Sequence, residues 1–294
     1  MRAAAVLPWR RPRGMAGNKS LERKTVPMNL AAVHRAGAAM TPEAWCDLWV
    51  RAAGGEHVGL PLPAFPPEDV QKITNSISGP DTMRHAGRFY RIADQEMRRH
   101  LSPDLTDRKL LDFGGGWGRI TRLFLRSIAP ANLYAIDVDE RLVAAGNDLL
   151  PGADFRRLIS GEAIPHPSGT FDTVIANSVF SHLSADYHRF YVSEIARVLK
   201  PGGLFLGTTL GPKWLDRSLT NDTGRAWVTS LFPDMDAARA TLGRGELLFA
   251  DTHRWPGYGL TIVPDGWVEK NWPQFTIAGT RTDYEQDIQI AIRR

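Results

Sequence analysis

The chain has 294 residues, of which 43% are hydrophobic and 23% charged, a balance typical of a globular protein with a sizeable core. No apolar run approaches the roughly 20 residues needed to cross a bilayer, so we expect no membrane span and a cytoplasmic protein. The net charge is +4, but seven of the 36 basic residues lie in the first 24 positions, so the charge does not indicate a nucleic-acid partner.

The amino-terminal segment, residues 1–27, is predicted to be a disordered basic tail. It contains prolines and glycines and has no apolar stretch of signal-peptide length. Two alternatives stay open, a weak targeting segment and translation from an over-extended start with Met15 or Met28 as the true first residue. The single cysteine, Cys46, predicts neither an internal disulfide nor a zinc site.

Residues 28–107 are predicted to form a helical extension. Residues 42–53 read as a helix that ends at two glycines, and residues 81–101 read as a longer helix with a continuous apolar face. Between them, residues 60–67 form a stiff proline-rich connector.

Residues 108–294 are predicted to form one α/β domain, because strands alternate with helices as in a parallel sheet covered on both faces. Within it, residues 211–264 break the alternation and are predicted to form a cap. The predicted strands are 109–113, 132–137, 154–158, 171–177 and 204–209, a cap hairpin from 246–250 to 258–263, and a final pair at 275–278 and 287–292. The predicted helices are 117–128, 140–150 and 185–199.

A glycine-rich turn follows the first predicted strand in the sequence LLDFGGGWGR, which begins at Leu110. Glycine allows a sharp turn and a close ligand approach, and the start of a helix offers free N–H groups. The spacing is G-x-G-x-G, because Arg119 stands where a dinucleotide fingerprint has its last glycine. The preceding acid, Asp112, suits a ligand with an ammonium group, such as S-adenosylmethionine.

Asp137 ends the second predicted strand. A carboxylate at this position can accept hydrogen bonds from both hydroxyls of a ribose. The alternative is a helix N-cap, but Asp139 suits that role better because it directly precedes the helix that begins at Glu140.

Four stretches together resemble the class I S-adenosylmethionine-dependent methyltransferases of the small-molecule type. They are LLDFGGGWGR, LYAIDVDERLV, GEAIPHPSGTFDTVIANSVFSHL and EIARVLKPGGLFLGTT, within about residues 108–210. The resemblance implies a Rossmann-like α/β fold with a mostly parallel seven-stranded sheet whose last strand is antiparallel. It also implies S-adenosyl-L-methionine as the cofactor.

The resemblance further implies roles for individual residues. The methionine moiety is expected beside Asp112, Gly114, Gly116 and Gly118, with Asn177 closing the pocket beneath it. Asp137 is expected to hold the ribose, Val138 to pack on the adenine, and Glu162 and Ala163 to lie at the adenine edge. The family usually has an aspartate where this chain has Gly161, so we expect Glu162 to replace that acid from the next position.

His182 is the leading candidate for a catalytic base, because it follows the fourth predicted strand and should face the crevice. A packed or helix-capping histidine is the alternative. No metal site is expected, because His166, His182 and His188 do not have ligand spacing.

The sequence therefore predicts a methyltransferase that acts on a small molecule or a glycan, by O-methylation. The alternatives are a methyltransferase that acts on protein or RNA, and a catalytically silent methyltransferase-like binding protein. No nucleic-acid partner is expected. The methyl acceptor and the oligomeric state do not follow from the sequence.

Overall fold

The computed structural model describes residues 29–294, so the predicted tail at 1–27 lies outside the described residues. Four helices precede the first strand: α1 (Leu30–Ala38), α2 (Pro42–Ala53), α3 (Glu68–Asn75) and α4 (Gly79–His100). The sequence pattern predicts α2 and α4 but not the two shorter helices. The start of α2 has a clear local cause, since the Thr41 side chain accepts from the amide of Ala44 and Pro42 occupies the first turn.

The described chain contains one large sheet and one hairpin. The nine strands are β1 (Leu110–Phe113), β2 (Leu133–Asp137), β3 (Asp154–Arg157), β4 (Phe171–Ala176), β5 (Leu199–Thr209), β6 (Leu248–Asp251), β7 (Gly259–Ile262), β8 (Phe275–Arg281) and β9 (Asp287–Arg293). Seven of them form a sheet in the order β3-β2-β1-β4-β5-β9-β8, in which β9 is antiparallel to both of its neighbours. The predicted fold class is therefore confirmed.

The segment after the glycine-rich turn differs from the prediction. A helix was expected over residues 117–128, whereas the structure has only a 3-10 helix at Thr121–Arg126. Gly114, Gly116 and Gly118 all have positive φ angles, so right-handed helical geometry cannot begin before residue 119. The regular helices on this part of the sheet are α5 (Glu140–Leu149) and α6 (Ala185–Val198).

Residues 211–264 contain three short helices and the predicted hairpin of β6 and β7. The helices are α7 (Pro212–Ser218), α8 (Asp222–Leu231) and α9 (Met235–Gly243), and α10 (Trp267–Asn271) follows the hairpin. This cap has its own small core, which includes Leu215, Val228, Phe232 and Ile262. We keep the name cap for residues 211–264.

The two faces of the large sheet bury separate apolar clusters. On one face, Trp45, Trp49 and Tyr90 of the amino-terminal helices join the cluster that contains Leu110 of β1. On the other, Phe113, Phe180 and Trp272 share a cluster with residues of α6. The amino-terminal helices are therefore part of the main core, and α4 is placed to contribute side chains to the carboxyl edge of the sheet. No helix in residues 29–294 is long and apolar enough to cross a membrane.

Candidate functional site

A cavity of about 430 Å³ opens at the carboxyl ends of β1, β2 and β4. Parallel strands present their carboxyl ends at one edge of a sheet, which is where ligands bind in open α/β folds. The cavity brings together six of the predicted site residues, Asp112, Gly114, Asp137, Val138, Asn177 and His182. Four others lie outside its lining, namely Gly116, Gly118, Glu162 and Ala163.

The three glycines of the turn have different neighbours. At Gly114, with φ 78°, a Cβ atom would lie 2.4 Å from Cγ2 of Val179 beside the cavity. At Gly116, a Cβ would lie 2.8 Å from Cγ2 of Thr74 at the end of α3. At Gly118, a Cβ would meet Leu150 and Phe155 at 2.7 and 2.8 Å, so this glycine allows packing beneath the turn rather than contact with a ligand.

The packing role of Gly118 gives a stability prediction. We expect Gly118→Ala to lower the free energy of unfolding by about 1–3 kcal/mol more than Gly152→Ala, because overpacking is added to the strained backbone. Gly152 is the matched control, since its φ is 110° and nothing lies within 4 Å of a Cβ built there. Urea unfolding of both variants measures the difference, and equal losses would contradict the packing role.

Asp137 is fixed by two backbone amides. Its Oδ2 accepts from the amide of Gly116 at 2.9 Å and its Oδ1 accepts from the amide of Asp139 at 2.9 Å. Burial raises the pKa of this carboxyl above its usual value. The N-cap of α5 is Asp139, whose side chain accepts from the amide of Arg141 at 3.1 Å. Asp137 is therefore free of the capping role and holds the glycine-rich turn against β2.

Asp112 lies buried at the start of the same turn. Its Oδ2 accepts from the hydroxyl of Thr121 at 2.7 Å, and burial raises its pKa to about 6. A carboxylate in such a site is stabilised by a bound cation, so the position fits a ligand with an ammonium group.

His182 lies in the loop between β4 and α6. Its Nδ1 is 2.7 Å from the carbonyl oxygen of Gly259, to which it donates. The ring stacks on Tyr258 with 4.9 Å between the centroids, and burial lowers its pKa. With the proton of the neutral ring on Nδ1, the lone pair is on Nε2, which is the state required of a base.

The histidines that the sequence analysis weighed as metal ligands, and set aside, lie apart in the fold. His166 packs between Tyr134 and Phe171, and His188 packs against Trp272. Among residues 29–294, no group of three or more His, Cys, Asp and Glu side chains is placed to hold a metal ion.

The two residues expected at the adenine edge lie outside the cavity lining. Gly161 has φ 87°, and its amide donates to the hydroxyl of Tyr191 at 2.8 Å. This turn leaves Glu162 and Ala163 exposed, whereas Leu158 and Ser160 line the cavity. The left-handed turn at Gly161 is the physical reason, because it turns the next two residues to the surface.

The cap forms one wall of the cavity through the loop between β6 and β7. Arg254, Trp255, Pro256 and Tyr258 line it. The cap is joined to the β4–α6 loop by main-chain hydrogen bonds: the Gly259 amide donates to the His182 carbonyl at 2.7 Å and the Thr261 amide donates to the Ser181 carbonyl at 2.9 Å. We call residues 181–184 together with β7 the cap ladder.

The sequence offers His85 only as a further candidate for the base, from a segment expected to cover the site, and it does not predict residues 73–76 as part of the cavity wall. Residues 73–76 at the end of α3 and His85 on α4 both line the cavity. Arg119, noted in the sequence only as a departure from the dinucleotide spacing, lines it too.

Comparisons with known proteins find similarity to methyltransferases. The family described as a methyltransferase domain matches residues 111–207. Phthiotriol/phenolphthiotriol dimycocerosates methyltransferase 1 of Mycobacterium ulcerans is 28% identical over 174 residues, which cover 57% of this chain and 59% of that protein. A malonyl-acyl-carrier-protein O-methyltransferase of Methylococcus capsulatus is 31% identical over 115 residues, 38% of this chain and 40% of that protein.

The chain thus spans less than two thirds of the length of these curated relatives. Among solved structures, a protein from Pyrococcus horikoshii OT3 superposes with a TM-score of 0.50 at 16% identity, covering 71% of this chain and 92% of that one. This similarity shows the fold. The matched family agrees with the resemblance found in the sequence, and confirms it.

Proposed function

We propose that this chain, which carries a methyltransferase domain at residues 111–207, transfers a methyl group from S-adenosylmethionine to an oxygen atom of a small molecule. One observation carries the proposal: a single cavity collects Asp112, the glycine-rich turn, Asp137 and a neutral histidine at the carboxyl edge of the sheet.

The lining residues fit the cofactor. Asp137 lies at the end of β2, where a carboxylate can accept from ribose hydroxyls, and the apolar side chains of Val138 and Leu158 suit an adenine ring. Two buried polar atoms of the lining, Nδ2 of Asn75 and Oδ1 of Asn177, have no hydrogen-bond partner within residues 29–294. A bound polar ligand would satisfy such a donor and such an acceptor.

The proposed chemistry is an in-line displacement. When bound, the cofactor supplies an electrophilic methyl group on a sulfonium. A bond forms between the acceptor oxygen and the methyl carbon while the carbon–sulfur bond breaks. The main task of the protein is alignment, and His182 accepts the proton of the acceptor hydroxyl on Nε2. The Gly259 carbonyl keeps the ring in the required tautomer.

A small acceptor suits the shape of the site. The loop between β6 and β7 and the end of α3 both line a cavity of about 430 Å³, so a compact molecule or the narrow end of a longer one fits best. The two relatives named above are described as methyltransferases for phthiotriol or phenolphthiotriol dimycocerosates and for malonyl-acyl-carrier protein. A glycan acceptor offers hydroxyls of the same kind.

The single thiol of the chain, Cys46, is free, and we propose the cytoplasm as the compartment of the protein.

The first test is cofactor binding. We expect calorimetry to show binding of S-adenosylmethionine and of S-adenosylhomocysteine, and each to raise the melting temperature by linkage. NAD is the control, because the turn does not have the spacing of a dinucleotide fingerprint. Binding of NAD with none of the two sulfur compounds would refute the proposed function.

The transfer itself separates the alternatives. With a labelled methyl group, we expect label in the small-molecule fraction of a cell extract. Label confined to the protein or RNA fraction would favour a macromolecular acceptor. Cofactor binding with no transfer to any fraction would favour a silent binding protein.

A further inference from the structure

Arg119 is a buried cation that the proposed chemistry does not use. It is 6% exposed, lies directly after the last glycine of the turn and lines the cavity. Its one side-chain hydrogen bond within residues 29–294 joins Nη1 to Nδ1 of His85 at 2.9 Å. A guanidinium has five N–H donors, so the other four N–H groups of Arg119 have no hydrogen-bond partner within residues 29–294.

The partner of Arg119 cannot neutralise it. A guanidinium only donates, so Nδ1 of His85 accepts and the proton of the neutral ring lies on Nε2. That nitrogen is 3.3 Å from the hydroxyl of Tyr284, which also accepts from Nδ2 of Asn177 at 3.1 Å. Burial, Arg119 and Arg88 lower the pKa of His85 to about 3. His85 therefore orients the guanidinium and stays uncharged.

No carboxylate of the described residues is paired with Arg119. Asp112 and Glu285 act on it electrostatically but form no hydrogen bond with it. The hydrogen bond to Asp112 comes from Thr121. A buried charge without a partner is strongly unfavourable, and a guanidinium matches the planar geometry of a carboxylate.

The neighbouring lining adds a second, independent donor. Nδ2 of Asn75 is buried, has no hydrogen-bond partner in residues 29–294, and belongs to the same cavity wall as His85. A cation and an amide donor that line one cavity are typical of an anion-binding site.

We propose that Arg119, oriented by His85, binds a carboxylate group of a molecule held in this cavity. The site deepens the proposed function and rests on it. Two sources share this chemistry, the carboxylate of the methionine portion of S-adenosylmethionine and a carboxylate on the acceptor. His85 is a positioning residue, because it acts through Arg119.

The experiment uses the full chain and two probes that differ only in the carboxylate, S-adenosylmethionine and decarboxylated S-adenosylmethionine. If the cofactor is the source, Arg119→Gln should weaken binding of the first by about 10- to 100-fold and leave binding of the second unchanged. Arg126→Gln is the matched control. Arg126 is a largely buried arginine at the end of the 3-10 helix that follows Arg119, but it donates to the carbonyl of Met40 and pairs with Asp94, away from the cavity.

A second pair of probes tests the acceptor as the source. Hexanoate and hexanamide are titrated into the protein with and without S-adenosylhomocysteine. With S-adenosylhomocysteine present, hexanoate should then bind and hexanamide should not. Loss of hexanoate binding in Arg119→Gln, and its retention in Arg126→Gln, would assign the site to an acceptor carboxylate. Far-ultraviolet circular dichroism of each variant confirms that it is folded.

The proposal is overturned if Arg119→Gln is folded and neither pair of probes distinguishes it from the wild type. This result is separable from failure of the proposed function. If the wild type binds neither adenosyl compound, the proposed function fails, and the hexanoate titration still decides the carboxylate site.

Discussion

Asp137→Ala is expected to weaken the binding of S-adenosylmethionine by roughly 1.5–3 kcal/mol, the range for hydrogen bonds to a charged group. The loss has two causes. The variant removes the acceptor proposed for the ribose hydroxyls, and it frees the amide of Gly116, which Asp137 holds at 2.9 Å. Calorimetry at fixed ionic strength measures the change in affinity.

Two variants make this result specific. Asp137→Asn keeps the size of the side chain but not its charge, so we expect an intermediate loss. Asp139→Asn removes a charge two residues away and keeps an N-cap for α5, so affinity should be nearly unchanged. If Asp139→Asn weakened binding as much as Asp137→Ala, local charge rather than the hydrogen bonds of Asp137 would be responsible.

His182→Gln is expected to lower kcat by about 10²- to 10⁴-fold while cofactor affinity is kept, because general base catalysis contributes factors of this size. The matched variant is His182→Asn, whose shorter amide can still donate to the Gly259 carbonyl. If the histidine only fixed the loop, His182→Asn should restore turnover. If it is the base, both variants should be equally slow.

The pH profile of the wild type gives a further readout for His182. Burial lowers its pKa from the usual 6.5, so the neutral, proton-accepting form persists to more acidic pH. The midpoint of the acid limb that this group causes should therefore lie below pH 6.5. The acid limb should disappear in His182→Gln. A rise in turnover on acidification would contradict the assignment.

The parallel core of the fold was predictable because its elements are locally encoded. The short apolar runs that became β1 and β4 are buried along their length, β2 is buried at three of its five residues, and each strand is followed by a turn or a helix start. The 3-10 segment after the turn was not predictable from its apolar spacing, since the positive φ angles of three glycines decided the local geometry. The cap helices were missed because each is only 7–10 residues long.

Half of the site was predictable for a geometric reason. Residues at the carboxyl ends of adjacent parallel strands must meet, so Asp112, Asp137 and Asn177 could be placed together from the sequence. The other walls depend on tertiary packing, so the sequence could offer His85 only as a further candidate and the cap only as a segment expected over the carboxyl edge of the sheet. His85 reaches the cavity because α4 packs on the sheet, and Trp255 reaches it because the hairpin pairs with the β4–α6 loop.

The cap ladder also bears on how the protein could be re-engineered. Because the main-chain carbonyls of Ser181 and His182 accept hydrogen bonds from the amides of β7, the cap is tied to the loop that carries the proposed base, although residues 185–210 separate them in the chain. A chimaera that transplanted residues 211–264 alone from a relative would place a foreign strand against the native loop. To change the acceptor preference of this protein, residues 181–184 must therefore be exchanged together with the cap.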